Sequence, residues 1–139
     1  MTLERVIQEA EKLRPNTMYD DWDYLDAVNR IEAEVAEHMR RHGVWTPQLE
    51  GPDKLVPVDP DWTAYTDDMD RAEVTMLLPD AYSDIYILYL TAMMDFGNAE
   101  YDRYNNEMGN AQSRLREWKA EYRREHTPLP RSGRREHLV

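Results

Sequence analysis

The chain of 139 residues contains no cysteine. That excludes a disulfide framework and any thiolate metal site, and it fits folding in a reducing cytoplasm. Long apolar runs are missing too. No stretch approaches the roughly 18 residues that a membrane-spanning helix needs, so no membrane association is expected. The opening MTLERVIQEAEKL has no basic segment followed by an apolar one and does not read as a signal peptide. Catalytic signatures are equally scarce. There is no Gly-x-Ser-x-Gly elbow, no glycine-rich phosphate loop and no nucleophile paired with a base. Positive charge is in short supply, with 17 Lys and Arg against 28 Asp and Glu. An acidic chain disfavours general nucleic-acid binding, because phosphate affinity comes from cations.

The charge is unevenly placed. Residues 1–113 hold 9 basic and 24 acidic side chains, whereas residues 114–139 hold 8 basic and 4 acidic. A basic end on an acidic body suits docking on an acidic partner. Basic residues in the last turns of a helix also complement its dipole, which accounts equally well for Arg114 to Arg124. Arg131, Arg134 and Arg135 lie beyond any expected helix and favour docking.

Hydrophobic residues make up 41% of the chain, enough for one globular domain with a modest core. Leu3, Val6, Ile7, Ala10 and Leu13 recur at steps of three and four and predict an amphipathic helix that Pro15 stops. A second helix follows Asp20 and Asp21, with Trp22, Leu25, Val28, Ile31, Val35 and Met39 on its apolar stripe and Gly43 at its end. Residues 44–78 contain four prolines and two short β-type runs, Leu55-Val56 and Val74 to Leu78. They predict a long extended arm or β-hairpin. Pro79 or Asp80 opens a third helix, apolar or tyrosine at almost every position from Ala81 to Phe96. A helix apolar on all sides is central and covered by neighbours. Its tyrosines Tyr82, Tyr86 and Tyr89 suit a rim that meets other subunits. Gly97 is expected to end this helix and Asn98 to cap the next. Tyr101, Tyr104, Met108, Ala111, Leu115, Trp118 and Tyr122 then carry a seven-residue pattern for a helix packed along its length. The fold expected is mainly α. It is a small bundle of about four helices in a single domain over residues 1–126, with residues 127–139 as an extended tail.

Three constellations touch on chemistry. Asp95-Phe96-Gly97 spells the magnesium-binding triplet of protein kinases, but the glycine-rich loop, strand lysine and catalytic loop that must accompany it are absent. A helix corner is the better reading. Asp59 to Asp70 places aspartates at positions 1, 3, 9 and 12 of a calcium loop, yet Ala64 stands where the turn needs glycine and Asp70 where a bidentate glutamate belongs. A solvated acidic loop is expected. Glu34, His38 and His42 share a helix face at zinc-compatible spacing, without a further ligand. No catalytic, cofactor or metal site is therefore expected.

The stretch from Leu78 to His126 resembles the C-terminal half of the small head–tail connector, or adaptor, proteins of tailed phages and prophages. The residues that carry the likeness are Tyr82, Tyr86, Tyr89, Leu90, Asp95, Phe96, Gly97, Asn98, Glu100, Tyr101, Arg103, Tyr104, Asn105, Asn106 and Trp118. The opening LERVIQEAEKLRPN and the following Tyr-Asp-x-Trp segment are also similar, whereas residues 44–77 match weakly. The resemblance implies a non-enzymatic virion protein of the neck, made in the host cytoplasm. Such proteins form a twelve-fold ring beneath the portal protein, extend the DNA channel and carry a stopper or tail-completion protein. In a cyclic ring two different faces of each subunit meet. Tyr82, Tyr86, Tyr89 and the 44–78 arm are the expected subunit contacts. Arg131, Arg134, Arg135, Leu138 and Val139 are the expected portal contacts, through cation pairing and an apolar anchor. Genomic DNA would pass without specific binding, since an acidic lining repels phosphates. A neck stopper, an acidic DNA mimic and a His38/His42 metal enzyme are the competing readings. The basic end and the tyrosine stripes argue against the mimic.

Overall fold

The computed structural model describes residues 1–126 apart from 16, 43, 47, 53, 57 and 58, with the side chains of residues 44–46 and 55 also outside the description. The described residues form four α-helices and one short hairpin: α1 (Leu3–Leu13), α2 (Asp21–Arg41), β1 (Val44–Thr46), β2 (Lys54–Val56), α3 (Asp84–Gly97) and α4 (Tyr101–Glu125). The small, mainly helical bundle is thus present. Gly43 and the tail lie outside the described residues. Among the described residues, no helix is long and apolar enough to cross a membrane.

Helix α1 starts where the Thr2 hydroxyl accepts the Arg5 N–H at 3.2 Å. It buries Leu3, Val6, Ile7 and Ala10. Leu13, expected on the same stripe, is exposed at the end of its last turn. Helix α2 opens on a capping box: Asp23 N–H donates to Asp20 Oδ1 at 3.0 Å, and Asp20 N–H donates to Asp23 Oδ2 at 3.1 Å. These two bonds satisfy donors that a helix start leaves unpaired. Leu25, Val28, Ile31 and Val35 are buried as the spacing predicts. Trp22 is not: it stands 70% exposed in the first turn.

Helix α3 packs against each of the other three helices. It opens later than Pro79 or Asp80, because a 3-10 turn over Asp80–Tyr82 comes first and Ser83 takes the N-cap position. Helix α4 runs back along α3, so that Asp95 faces Arg103, Asp84 faces Arg114 and Tyr82 faces Glu121. Its heptad stripe is core over Ala111, Leu115 and Trp118 and half-buried at Tyr104, Met108 and Tyr122, while Tyr101 is exposed.

The arm does two things. Its first part is the hairpin, with Val44 opposite Val56, Trp45 opposite Leu55 and Thr46 opposite Lys54. Gly51 in the connection takes φ +85°, a conformation that costs glycine little. Its second part returns to the bundle. Thr75 bridges Thr2, Leu3 N–H donates to Val74 O at 2.9 Å, and Met76 N–H donates to Met1 O at 3.0 Å. The β-type run at 74–78 therefore closes over the start of α1 and, among the described residues, finds no strand partner beyond that bridge. Tyr65, Met76 and Leu78 are buried in the core. This part of the arm therefore belongs to the chain's own core.

Trp118 is 3% exposed and lies against His38 of α2 and Tyr122. Trp118→Ala is expected to cost about 3–5 kcal/mol and to lower the thermal midpoint of the monomer, followed by far-ultraviolet circular dichroism. A monomer of unchanged midpoint would reverse the assignment of this stripe to the core.

Candidate functional site

Glu32 is the most buried charged group among the described residues, at 0% exposure in the middle of α2. Three donors converge on its carboxylate. Tyr65 Oη donates to Oε2 at 2.6 Å, Leu77 N–H donates to the same oxygen at 3.0 Å, and Tyr86 Oη donates to Oε1 in a very short contact. Tyr86 Oη in turn accepts the Leu78 N–H at 2.8 Å. Burial pushes the Glu32 carboxyl above its ordinary range, against the pull of the three donors. Burial and the adjacent carboxylate push both phenols up, so both remain donors. Just N-terminal, Asn29 holds the arm by both ends of its amide: Nδ2 donates to Tyr65 O at 3.0 Å and Oδ1 accepts Tyr65 N–H at 2.8 Å.

The Asp95 corner is a structural clamp. Asp95 is buried, and the Arg14 guanidinium reaches it twice, Nε to Oδ1 at 2.7 Å and Nη2 to Oδ2 at 3.0 Å. Arg103 Nη2 stands 3.8 Å from the same Oδ1. The carboxylate thus joins the end of α1 to the start of α4. Asn98 does not cap α4 as expected. Ala99 takes φ +60° and Glu100 occupies the N-cap position, where its N–H donates to Asp95 O at 2.8 Å. Gly97 is the last residue of α3, and a Cβ there would stand 3.2 Å from Tyr19 Cε1, so close ring packing is what favours glycine. Phe96 is exposed and meets Tyr101 and Tyr104 with ring centroids at 5.7 and 5.1 Å.

The histidines form a ring cluster at the opposite end. His38 is buried, its Nε2 lies 3.2 Å from the Lys119 carbonyl, and its ring packs on His42, Trp118 and Tyr122. Glu34 pairs with Lys119 Nζ at 2.7 Å rather than joining the histidines. Among the described residues, no group of three His, Asp or Glu side chains is placed to hold a metal ion. The calcium-like spacing is dispersed as well. Asp59 pairs with Arg40 at 3.2 Å, Asp67 stands 3.9 Å from Arg71, and Asp70 accepts the Ala72 N–H.

The tyrosines of α3 differ in their places. Tyr86 is wholly inside the chain and bonded to Glu32, which corrects its expected place on a subunit rim. Tyr82 is half-buried, with Arg114 4.6 Å above its ring and Glu121 accepting from its hydroxyl. Tyr89 is half-buried. Arg131, Arg134, Arg135, Leu138 and Val139 lie outside the described residues.

The reading of the sequence missed Glu32, Asn29 and the Arg14–Asp95 and Arg114–Asp84 pairs. One signal existed for the first: Glu32 lies four residues after Val28 and four before Ala36, on the buried face. The others join residues 30 to 81 positions apart and leave no local trace. Comparison of the chain with family models, with curated proteins and with solved structures gives no match.

Two of the buried titratable groups, His38 and Glu32, give pH dependences of opposite sign. Burial holds the His38 imidazole down at about 4, below its usual 6.5. The unfolded chain therefore binds the proton first, so the His38 contribution is full above about pH 6.5 and is lost as pH falls towards 4. Glu32, raised, contributes more below its unfolded value and loses this as pH rises through its folded one. Between pH 7 and 5 the His38 contribution falls by about 2 kcal/mol. His38→Gln should reduce that loss by the same amount in urea titrations at the two pH values. An unchanged pH dependence would mean that His38 is protonated as easily folded as unfolded.

Proposed function

We propose that the chain is a head–tail connector of a tailed phage or prophage, an adaptor that forms a ring beneath the portal and carries the stopper. The observation that carries this reading is that the residues bearing the family likeness are those that build one structural unit, the α3–α4 hairpin with its Asp95 corner. Tyr86 and Trp118 are its core, Asp95 and Arg103 its clamp, and Phe96, Tyr101 and Tyr104 its exposed aromatic end. A packing pattern rather than a constellation of reactive groups fits a part of an assembly rather than an enzyme.

Three further features support it. The acidic body suits a channel through which DNA slides without being gripped. The exposed aromatic cluster at the corner, together with Tyr89, replaces Tyr86 as the face offered to a neighbouring subunit, since aromatics supply much of the binding energy of interfaces. The hairpin β1–β2 stands on the connection between α2 and the returning arm. In this reading Arg131, Arg134 and Arg135 pair with portal carboxylates, and Leu138 and Val139 supply a small apolar anchor. The protein then belongs to the virion neck and needs no cofactor.

The test is to delete residues 128–139 and mix the product with purified portal rings. The full chain is expected to add mass to the ring in multiples of 16.6 kDa, read by native mass spectrometry. The truncated chain is expected to keep its helical signal and thermal midpoint and to lose attachment. A full chain that leaves the portal unloaded would end the adaptor reading. Attachment of the truncated chain would end only the role given to the tail.

A further inference from the structure

The first turns of α2 and the arm face each other across a groove of about 480 Å³. Its floor is Leu25 and Tyr65, both buried, and its wall is the indole of Trp22, 70% exposed. Asn29 occupies both ends of its amide on the Tyr65 backbone, so the floor is fixed before anything binds. The rim is acidic. Asp26, Asp67 and Asp68 line it, and Asp21 lies just beyond, sharing Arg71 with Asp67 at 3.2 and 3.9 Å. Arg30 stands against Asp26 at 3.0 Å. Four carboxylates thus face two guanidinium groups. A large exposed indole beside an apolar floor, with acids around it, is the recognition chemistry of a cationic peptide that carries apolar side chains.

We propose that this groove is a peptide-binding site and that its occupant is the chain's own segment 127–139. The segment, TPLPRSGRREHLV, sets Arg131, Arg134 and Arg135 against a single acid, Glu136, and carries Leu129, Leu138 and Val139 as apolar groups. Its charge is opposite in sign to the rim. It also reaches. The described chain ends at His126, stacked on Tyr122 at 3.9 Å, and Tyr122 lies 5.7 Å from the His38 ring on α2. From His38 back to Leu25 along α2 is a rise of about 20 Å. Thirteen extended residues span about 43 Å, which leaves length to pass around one helix. Pro128 and Pro130 restrict the unbound segment and lower the entropy lost on docking. Linkage in the same chain gives an effective concentration in the millimolar range, so a shallow groove suffices. Any other acidic partner of the three arginines then competes with the groove, whether or not that partner is a portal.

The absence of cysteine permits a single-site label. A nitroxide on Ser132→Cys in the otherwise complete chain is expected to broaden the Trp22 indole N–H and the backbone amides of residues 66–68 in nitrogen-15 spectra. The broadening should vanish in 1 M salt, where the Debye length is about 3 Å. It should also vanish in the Asp67→Asn/Asp68→Asn variant, whose circular dichroism stays unchanged because both side chains are exposed. No broadening at low salt overturns the proposal, and so does broadening that survives both treatments. A mixture of isotope-labelled chain without nitroxide and unlabelled chain with it is expected to show no effect. Broadening there would give the groove to the tail of a second copy and overturn the assignment to the same chain.

Discussion

One carboxylate sealed inside the bundle, with no cationic partner among the described residues, sets the conditions for the rest of the structure. Glu32 cannot shed its three donors without leaving a buried acid unsatisfied, at a cost of about 1–3 kcal/mol per lost partner. Those donors come from two separate places in the chain besides α2 itself: Tyr65 and Leu77 from the arm, Tyr86 from α3. The arm is therefore locked by a polar contact that has to be complete or absent. Packing of Met76 and Leu78 then follows, because their backbone is already held beside α2 and α3. Apolar burial supplies most of the driving force, but it is not directional. The carboxylate chooses which register of the arm is native, which is the use of buried polar groups that low local dielectric makes strict.

The ends of the bundle are tied by different means. At the corner end, Arg14, Asp95 and Arg103 join α1, α3 and α4 around one buried carboxylate. At the start of α3, Arg114 grips Asp84 with two bonds, of 2.9 and 3.1 Å, and donates also to the Ala81 carbonyl at 2.9 Å. Near the end of α4, Lys119 meets α2 twice, through Glu34 and through its own carbonyl on His38. Each tie fastens a helix terminus or a helix crossing, where fewer apolar contacts are available. Within Asp95-Phe96-Gly97 each residue has a separate structural role. The acid clamps, the phenylalanine opens an exposed aromatic cluster, and the glycine admits the Tyr19 ring. A triplet that serves metal chemistry elsewhere serves a turn here because its surroundings differ.

The helices were legible because their signals are local. Steps of three and four from Leu3 to Ala10 and from Leu25 to Val35 gave both position and buried face, and Pro15 and Asp20 gave their boundaries. The apolar excess of α3 announced a central helix. What escaped was set by distance in the chain. Tyr86 read as a rim residue because its partner, Glu32, lies 54 positions away. Trp22 read as core because periodicity gives a face of the helix but not how far along it the neighbouring elements extend. The arm read only as extended or a hairpin, because prolines and short β-runs say nothing of a polar hub on another element. The candidate surfaces followed the same rule: the histidine and aspartate spacings were visible, but their partners, Lys119, Arg40 and Arg71, were not.

Charge along the bundle adds a final step. Asp21 and Asp23 sit in the first turn of α2, and Asp102 in the first turn of α4. Arg40 and Arg41 sit in the last turn of α2, and Arg123 and Arg124 in the last turn of α4. Each of these is where a helix dipole favours that sign, by about 0.3–1 kcal/mol per group. The helices thus account for their placement, and Asp21, Arg40 and Arg41 add ion pairs with Arg71, Asp59 and Glu37. Arg131, Arg134 and Arg135 are different, because they follow Pro128 and Pro130 in the sequence and lie outside the described residues. Under the readings proposed above, these three cations on an otherwise acidic chain take up a second surface. In the two readings proposed above, the acid-rimmed groove at Trp22 and an acidic portal offer such a segment the same kind of contact, so that a choice between them is made by competition rather than by chemistry.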